Sequence, residues 1–125
     1  ALAHTDLQVQ QTAAFALGKI GPGAKEAVAP LKKLTASSDD LVKLTAVWAL
    51  LQIGPRTDDL VKMAVPLLTA GLKSTQELVR IEAAISLGEI GKGAATALPA
   101  LDAAANDPSS SVRGAVSEAI KKIKG

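Results

Sequence analysis

Few side chains in this sequence have the types and spacings that chemistry requires. His4 is the only histidine and the chain has no cysteine, so a metal site would need a cluster of carboxylates. The acidic pairs at 39–40 and 58–59 lack the spacing of metal ligands, and each lies at a predicted helix start, where a carboxylate caps free N–H groups. We therefore expect no catalytic residue, no metal and no cofactor, and the chain is predicted not to be an enzyme.

Two glycine-rich stretches, GPGAK and GKGAA, have the composition of phosphate-binding loops. Neither follows a predicted strand, and neither completes the G-x-G-x-x-G or P-loop pattern. We interpret both as turns between helices.

The composition indicates a helical protein without a strong charge. Hydrophobic residues make up 48% of the 125, many of them alanine, which suits helices packed closely together. The 14 basic and 12 acidic residues are mixed along the chain, and the formal net charge of +2 does not favour nucleic acid or a membrane surface as a partner. The longest apolar runs are far shorter than a membrane span.

The elements that position these residues repeat along the chain. Isoleucine recurs at spacings of 33, 37 and 33 residues, at Ile20, Ile53, Ile90 and Ile123, and glycine follows the first three directly. A valine stands eleven residues before each isoleucine. Self-similarity at this period is typical of stacked-repeat proteins.

Each repeat unit is predicted to contain two helices. In the first, the valine and the residues four, eight and eleven positions later are apolar, which places them on one helix face at about 100° per residue. Glycine then suits the helix C-cap, and proline after Gly21 and Gly54 prevents continuation. The second helix of each unit carries a proline (Pro30, Pro66 or Pro99), for which we expect a recurring kink. The seven predicted helices span residues 6–20, 24–35, 39–53, 58–72, 75–90, 94–105 and 109–124.

The repeated pattern resembles the HEAT repeat. A first helix such as VRIEAAISLGEIGKG, followed by a second with A-V-x-P-L, is similar to the short bacterial type grouped with the phycobilin-lyase HEAT-like repeats. The resemblance covers the chain from Asp6 onward, and VRGAVSEAIKKIKG carries it into the last helix. It implies an all-α fold, a right-handed α-α solenoid of about 3.5 HEAT-like repeats in a single domain over residues 1–125. The expected units are residues 6–38, 39–73 and 74–108, with a terminal capping helix at 109–125.

One feature of the resembled family is incomplete in this chain. The family tends to pair an aspartate with an arginine six residues later, as a ladder between neighbouring units. Only Asp107 and Arg113 show that spacing. We therefore expect the ladder to be broken along most of the array.

By resemblance, the second helices would line a concave binding face. Six residues are candidate protein-binding contacts there: Lys25, Lys32, Lys33, Lys62, Met63 and Lys73. HEAT arrays serve many unrelated functions, so the resemblance implies a protein-interaction scaffold without naming its protein partner. An accessory subunit of a modifying, lyase-like enzyme is one alternative. Nucleic-acid binding is another, disfavoured because Glu26, Asp58 and Asp59 interrupt the lysines.

An outer apolar band is the second candidate surface. Trp48 lies six residues after Val42, which places it about 150° from the centre of the buried stripe. Five further residues join it on the same outer side: Phe15, Leu44, Leu51, Ile81 and Ile85. Two hypotheses fit this band. One is packing between successive units, and the other is an exposed patch for a partner protein, for self-association with another copy of the chain or for a missing part of a longer parent chain.

The two ends of the predicted array differ. The last helix presents polar residues outward, as a terminal cap should, whereas ALAHTD before the first helix is too short to cover an array end. We expect this end to be covered, either by earlier repeats of a longer protein or by an associated subunit.

Overall fold

The computed structural model describes residues 6–125, and within this range every regular element is helical. His4 lies outside the described residues. The α-helical segments are, in chain order, α1 (Leu7–Ile20), α2 (Val28–Leu34), α3 (Asp40–Ile53), α4 (Asp58–Gly71), α5 (Glu77–Ile90), α6 (Leu98–Ala104) and α7 (Ser110–Lys124). Five of them have 14 or 15 residues, whereas α2 and α6 have seven each.

The predicted count of seven helices is not confirmed, because residues 6–125 contain five long regular helices and the other two predicted helices are composite. The 3₁₀ stretch Gly21–Ala27 leads into α2, and the 3₁₀ stretch Gly91–Ala97 leads into α6. The backbone leaves helical geometry inside these stretches, at Ala24 (φ −100°, ψ 27°) and Ala94 (φ −100°, ψ 17°). Glycine propagates an α-helix poorly, which explains why regular helix begins late after the sequences GPG and GKG.

The prolines of the second helices do not share one structural role. Pro99 is the second residue of α6, and Pro30 is the third residue of α2. In a first turn the missing N–H would have no partner within the helix, so proline is tolerated there. Pro66 alone of these three lies inside a long helix, α4. In the first and third predicted repeat units, the kinks at Ala24 and Ala94 therefore precede the prolines.

The chain divides into two compact units, the first ending at Leu60 and the second beginning at Val61. In the first unit α1 and α2 pack against α3, and in the second unit α5 and α6 pack against α7. The organisation as a single domain stays a prediction.

The predicted apolar stripe forms the core of each unit. In α3 its members are buried: Val42, Ala46, Leu50 and Ile53. In α7 three of the four are buried: Val112, Val116 and Ile123. The first helix departs from this pattern, since Val9 and Ile20 of α1 are 37% and 61% exposed.

Helix ends follow the expected chemistry. Gly21, Gly54 and Gly91 end α1, α3 and α5 with φ of 73°, 65° and 74°, a region that β-carbon sterics make costly for other residues. The carboxylate of Asp39 accepts a hydrogen bond from the Val42 N–H at 3.0 Å and caps α3, as predicted. At α4 the Thr57 hydroxyl accepts from a backbone N–H instead, and the acidic pair 58–59 lies in the first helical turn.

A charge network ties the start of α5 to the segment before α7. The Asp107 carboxylate accepts hydrogen bonds from the Ser109 N–H (2.9 Å) and from Nε of Arg80 (2.9 Å), and both side chains of this ion pair are largely buried. The Arg113 guanidinium donates to the carbonyl oxygens of Asp107 and Pro108, not to the carboxylate. Asp107 therefore pairs with Arg80, the equivalent of Arg113 one repeat earlier, which lies 27 residues before Asp107 in the chain.

These interactions set the charge state of Asp107. The Ser109 N–H lowers the pKa of the Asp107 carboxyl, burial acts in the opposite direction, and the Arg80 guanidinium lowers the pKa further. The net pKa lies below the usual value of 3.8. A lowered folded-state pKa means that the ionised carboxylate stabilises the fold at any pH above that usual value, and that this stabilisation is lost as the pH falls through the folded-state pKa.

Replacing Asp107 by asparagine should lower the melting temperature at pH 7, because asparagine keeps the shape but leaves the Arg80 charge without its counter-charge. The difference from wild type should shrink as the pH is lowered below 3.8. Thermal unfolding followed by far-UV circular dichroism measures both effects. Asp102→Asn, an exposed change on α6, is the control at pH 7. A difference of constant size from pH 7 down to pH 2 would contradict this account.

Candidate protein-interaction surface

The first unit is organised by a close approach of α1 to α3. Ala14 and Gly18, four residues apart on one face of α1, are both buried. A β-carbon built at Gly18 would lie 3.0 Å from the Ala49 Cα and would clash with the ring of Trp48. Only a residue without a side chain allows the two helices to come this near.

The two aromatic side chains of the protein stack on each other at this approach. The Phe15 and Trp48 ring centroids lie 5.3 Å apart with an interplanar angle of 15°. The Lys19 Nζ lies 5.8 Å from the Phe15 centroid, within reach of a cation–π interaction. Trp48 is half-buried and Phe15 is exposed. For Trp48 this geometry favours packing between first helices over an open patch.

Several large apolar side chains of α1 are open to solvent. Four of its large side chains are exposed: Leu7 by 49%, Val9 by 37%, Phe15 by 47% and Ile20 by 61%. A groove of about 440 Å³ runs along this helix, lined by Asp6, Gln8, Val9, Thr12, Ala13 and Ala16. Exposed apolar groups that cluster on one helix mark an interaction surface more often than single scattered ones do.

The other members of the predicted outer band have different environments. Leu44 and Leu51 are buried, so neither can contact a partner. In the second unit Ile81 is half-buried and Ile85 is 40% exposed. These two isoleucines line a groove of about 350 Å³ together with residues of α7, among them Ala115.

The lysines predicted for the second helices are exposed. They comprise Lys25, Lys32, Lys33, Lys62 and Lys73. Lys73 lines an open groove of about 520 Å³ with Pro66, Thr69 and Thr96 among its neighbours. Met63 is half-buried. Their role as binding contacts stays a prediction.

Sequence reasoning missed the exposure of Leu7, Val9 and Ile20. The repeat alignment assigned Val9 and Ile20 to the buried stripe by analogy with the later units. The signal was the place of α1 as the first helix of the predicted array, because a stripe is buried only where a preceding helix covers it.

Among residues 6–125, no group of three or more His, Cys, Asp or Glu side chains could hold a metal ion. Burial, and next the charge of Glu89, raises the pKa of the Glu82 carboxyl above its usual value. Burial alone raises a carboxyl pKa in this way, so the shift does not by itself mark a functional group. None of the helices in this range has both the length and the apolar character that crossing a bilayer requires.

Comparison with known proteins identifies the family. The family description HEAT repeats matches residues 1–64 and again residues 58–121. The chain belongs to the HEAT-repeat family. No match was found among curated proteins.

Solved structures agree with membership of the HEAT-repeat family. Thirteen chains of known structure match, and one of them is the crystal structure of an engineered protein with a TM-score of 0.67 and 30% sequence identity. The similarity covers 98% of this chain and 59% of the engineered one. The HEAT repeats, the all-helical structure and this neighbour together define an α-solenoid. The HEAT-repeat fold commonly mediates protein–protein interaction.

Gly18→Ala should lower the free energy of unfolding of this HEAT-repeat protein by about 1–3 kcal/mol, because the added methyl group overpacks the α1–α3 contact. The loss should appear although alanine is the better helix former by about 1 kcal/mol. Urea unfolding followed by circular dichroism measures it, and Trp48 emission reports the same contact.

Gly114→Ala is the matched control for this prediction. Gly114 lies within α7, and a β-carbon there would meet nothing within 4 Å. This variant should gain about 1 kcal/mol from helix propensity alone. Equal stabilisation by both substitutions would show that α1 and α3 are not in close contact at Gly18.

Proposed function

We propose that this HEAT-repeat chain is a non-enzymatic protein-interaction module and that its first unit binds a partner protein through α1. The observation that carries the proposal is the clustering of exposed apolar side chains on this helix. Among the described residues six large apolar side chains are exposed, and four of the six lie on α1. A fold that commonly mediates protein interaction supports the same conclusion.

The size of the apolar contribution sets what the partner must supply. Complete burial of a large apolar side chain contributes about 1.5–3 kcal/mol, so four half-exposed ones contribute about 3–6 kcal/mol together. Association costs about 4–15 kcal/mol in lost freedom of movement. The α1 residues can therefore anchor an interface but cannot hold a partner alone, and a partner must reach beyond them.

The charges around this helix indicate the character of the rest of the interface. Residues 7–38 carry four lysines and one glutamate, whereas Asp6 lines the groove itself and the acidic pair 39–40 follows. Lys19 lies beside the Phe15 ring, and the others are exposed on the 3₁₀ stretch and α2: Lys25, Lys32 and Lys33. A partner with an apolar anchor and acidic groups on the side of α2 would complement these lysines and associate faster at low salt.

Several finer predictions belong to the proposal. They include the right-handed superhelix of about 3.5 repeats and the absence of catalysis, which the lack of cysteine supports. They also include binding roles for the remaining candidate residues, namely Lys62, Met63, Lys73, Ile81 and Ile85. An accessory role in a modifying enzyme and nucleic-acid binding stay alternatives without an observation that favours them.

Selection of a displayed library of helical peptides on the intact chain tests the proposal. Selected peptides should bind wild-type protein, and Phe15→Asp should weaken them by about tenfold or more because it places a charge at the apolar anchor. Isothermal titration calorimetry measures the affinities, and circular dichroism checks that each variant is folded.

Leu78→Asp is the matched control, because Leu78 is a similarly exposed apolar residue on another first helix, α5. Its affinity for the peptides should equal that of wild type. Failure to select any ligand, or ligands that respond to Leu78→Asp and not to Phe15→Asp, would overturn the proposal.

A further inference from the structure

The groove along α1 has the same residue pattern as surfaces that are buried elsewhere in the protein. We call the α1 groove the surface formed by Val9, Thr12, Ala13 and Ala16. The units repeat at 33, 37 and 33 residues, so each of these positions has an equivalent in α3 and α7. In α3 the equivalents are all buried: Val42, Thr45, Ala46 and Ala49. In α7 three are buried and one is half-buried: Val112, Val116 and Ala119, with Ala115.

The face of α1 that carries small residues packs against this surface of α3 and buries it. Gly18 lies against Ala49, as described above, and the Gln11 Nε2 donates a hydrogen bond to the Thr45 Oγ1 at 3.4 Å. Gln11 contacts Thr45, and Gly18, further along α1, contacts Ala49, further along α3. The helices therefore run parallel.

The second unit repeats this arrangement with other residues. Ala84 and Gly88 of α5 are four residues apart and buried, like Ala14 and Gly18 of α1. A β-carbon at Gly88 would lie 3.0 Å from the Ala119 Cα. In both units a first helix carries a buried alanine and, four residues later, a buried glycine. The glycine lies against an alanine of the next first helix.

We propose that the α1 groove binds an α-helix of another protein that runs parallel to α1 and carries the pattern Gln-x-x-Ala-x-x-x-Gly on its contact face. Its glycine would lie over Ala16 and the Phe15 ring, as Gly18 lies over Ala49 and Trp48. Its glutamine would donate to Thr12, the equivalent of Thr45. This inference rests on the proposed function and names the structure that the surface recognises.

A second copy of this chain cannot supply that helix. The matching faces of α1 and α5 are already buried, against α3 and α7 respectively. On α7 the position equivalent to Gly18 and Gly88 is Lys121, which is exposed. A long charged side chain there does not fit the close approach that the groove requires. We therefore assign the groove to a helix of another protein and not to residues 6–125 of a second copy.

A stapled peptide with the sequence of residues 6–21 tests the proposal on the intact chain. It carries the required glutamine, alanine and glycine, and the staple, placed on the opposite face, offsets the cost of nucleating a free helix. Fluorescence anisotropy of the labelled peptide should show saturable binding to wild type. Ala16→Leu should weaken binding by about tenfold or more, because leucine fills the groove while keeping helix propensity.

Two matched controls complete the design. Ala29→Leu adds the same side chain at an exposed alanine of α2 and should leave binding unchanged. A peptide with Gly18→Leu should bind about tenfold or more weakly to wild type.

Three results would overturn the inference. One is equal binding by Ala16→Leu and wild type, and another is a dimer of the intact chain that Ala16→Leu dissociates in sedimentation experiments. The third is no binding of the stapled peptide while library-selected ligands still bind and respond to Phe15→Asp. In that case the proposed function would stand and only this inference would fail, whereas loss of all ligands would remove both.

Discussion

The close contact of α1 with α3 at Gly18 is the constraint on which the first unit depends. A glycine opposite Ala49 lets the helices approach, and the Trp48 ring then lies over the glycine and stacks on Phe15. This explains why a chain with few aromatics has its two in equivalent positions of successive units. The larger ring fills the space beside the missing side chain, so the glycine and the tryptophan are a matched pair.

The same constraint explains where the interaction surface lies. A first helix has one face that covers the next first helix and another that is covered by the previous one. In α3 and α7 the second face is buried, whereas in α1 it is exposed with an equivalent set of residues. Internal repetition shows that such a face is suited to burial, and within residues 6–125 it is open to solvent, which is why we propose it as the binding surface. The proposed function would then come from a helix that packs on this face.

The periodicity of the sequence predicted much of this fold, whereas the burial of individual side chains depends on how the helices pack against one another. The valine-to-isoleucine stripe and the glycine caps follow from local rules, and both were predictable. The composite α2 and α6 were not, because the kinks at Ala24 and Ala94 arise from glycine-rich starts upstream of the prolines. Burial of Leu44 and Leu51, and exposure of Val9, depend on which helices lie next to each helix. The pattern of one helix does not contain that information, so the predicted outer band included the buried Leu44 and Leu51 and left out the exposed Ile20.

Thiol reactivity tests the exposed face of α1 most directly, because the chain has no cysteine of its own. Ala16→Cys and Ala49→Cys place a small thiol at equivalent positions of α1 and α3. Reaction with a chromogenic disulfide should be nearly as fast in folded Ala16→Cys as in the urea-unfolded protein. In folded Ala49→Cys it should be slower by about a hundredfold or more, because labelling there requires the unit to open. Equal protection of both thiols would show that the α1 face is already covered and would contradict the account.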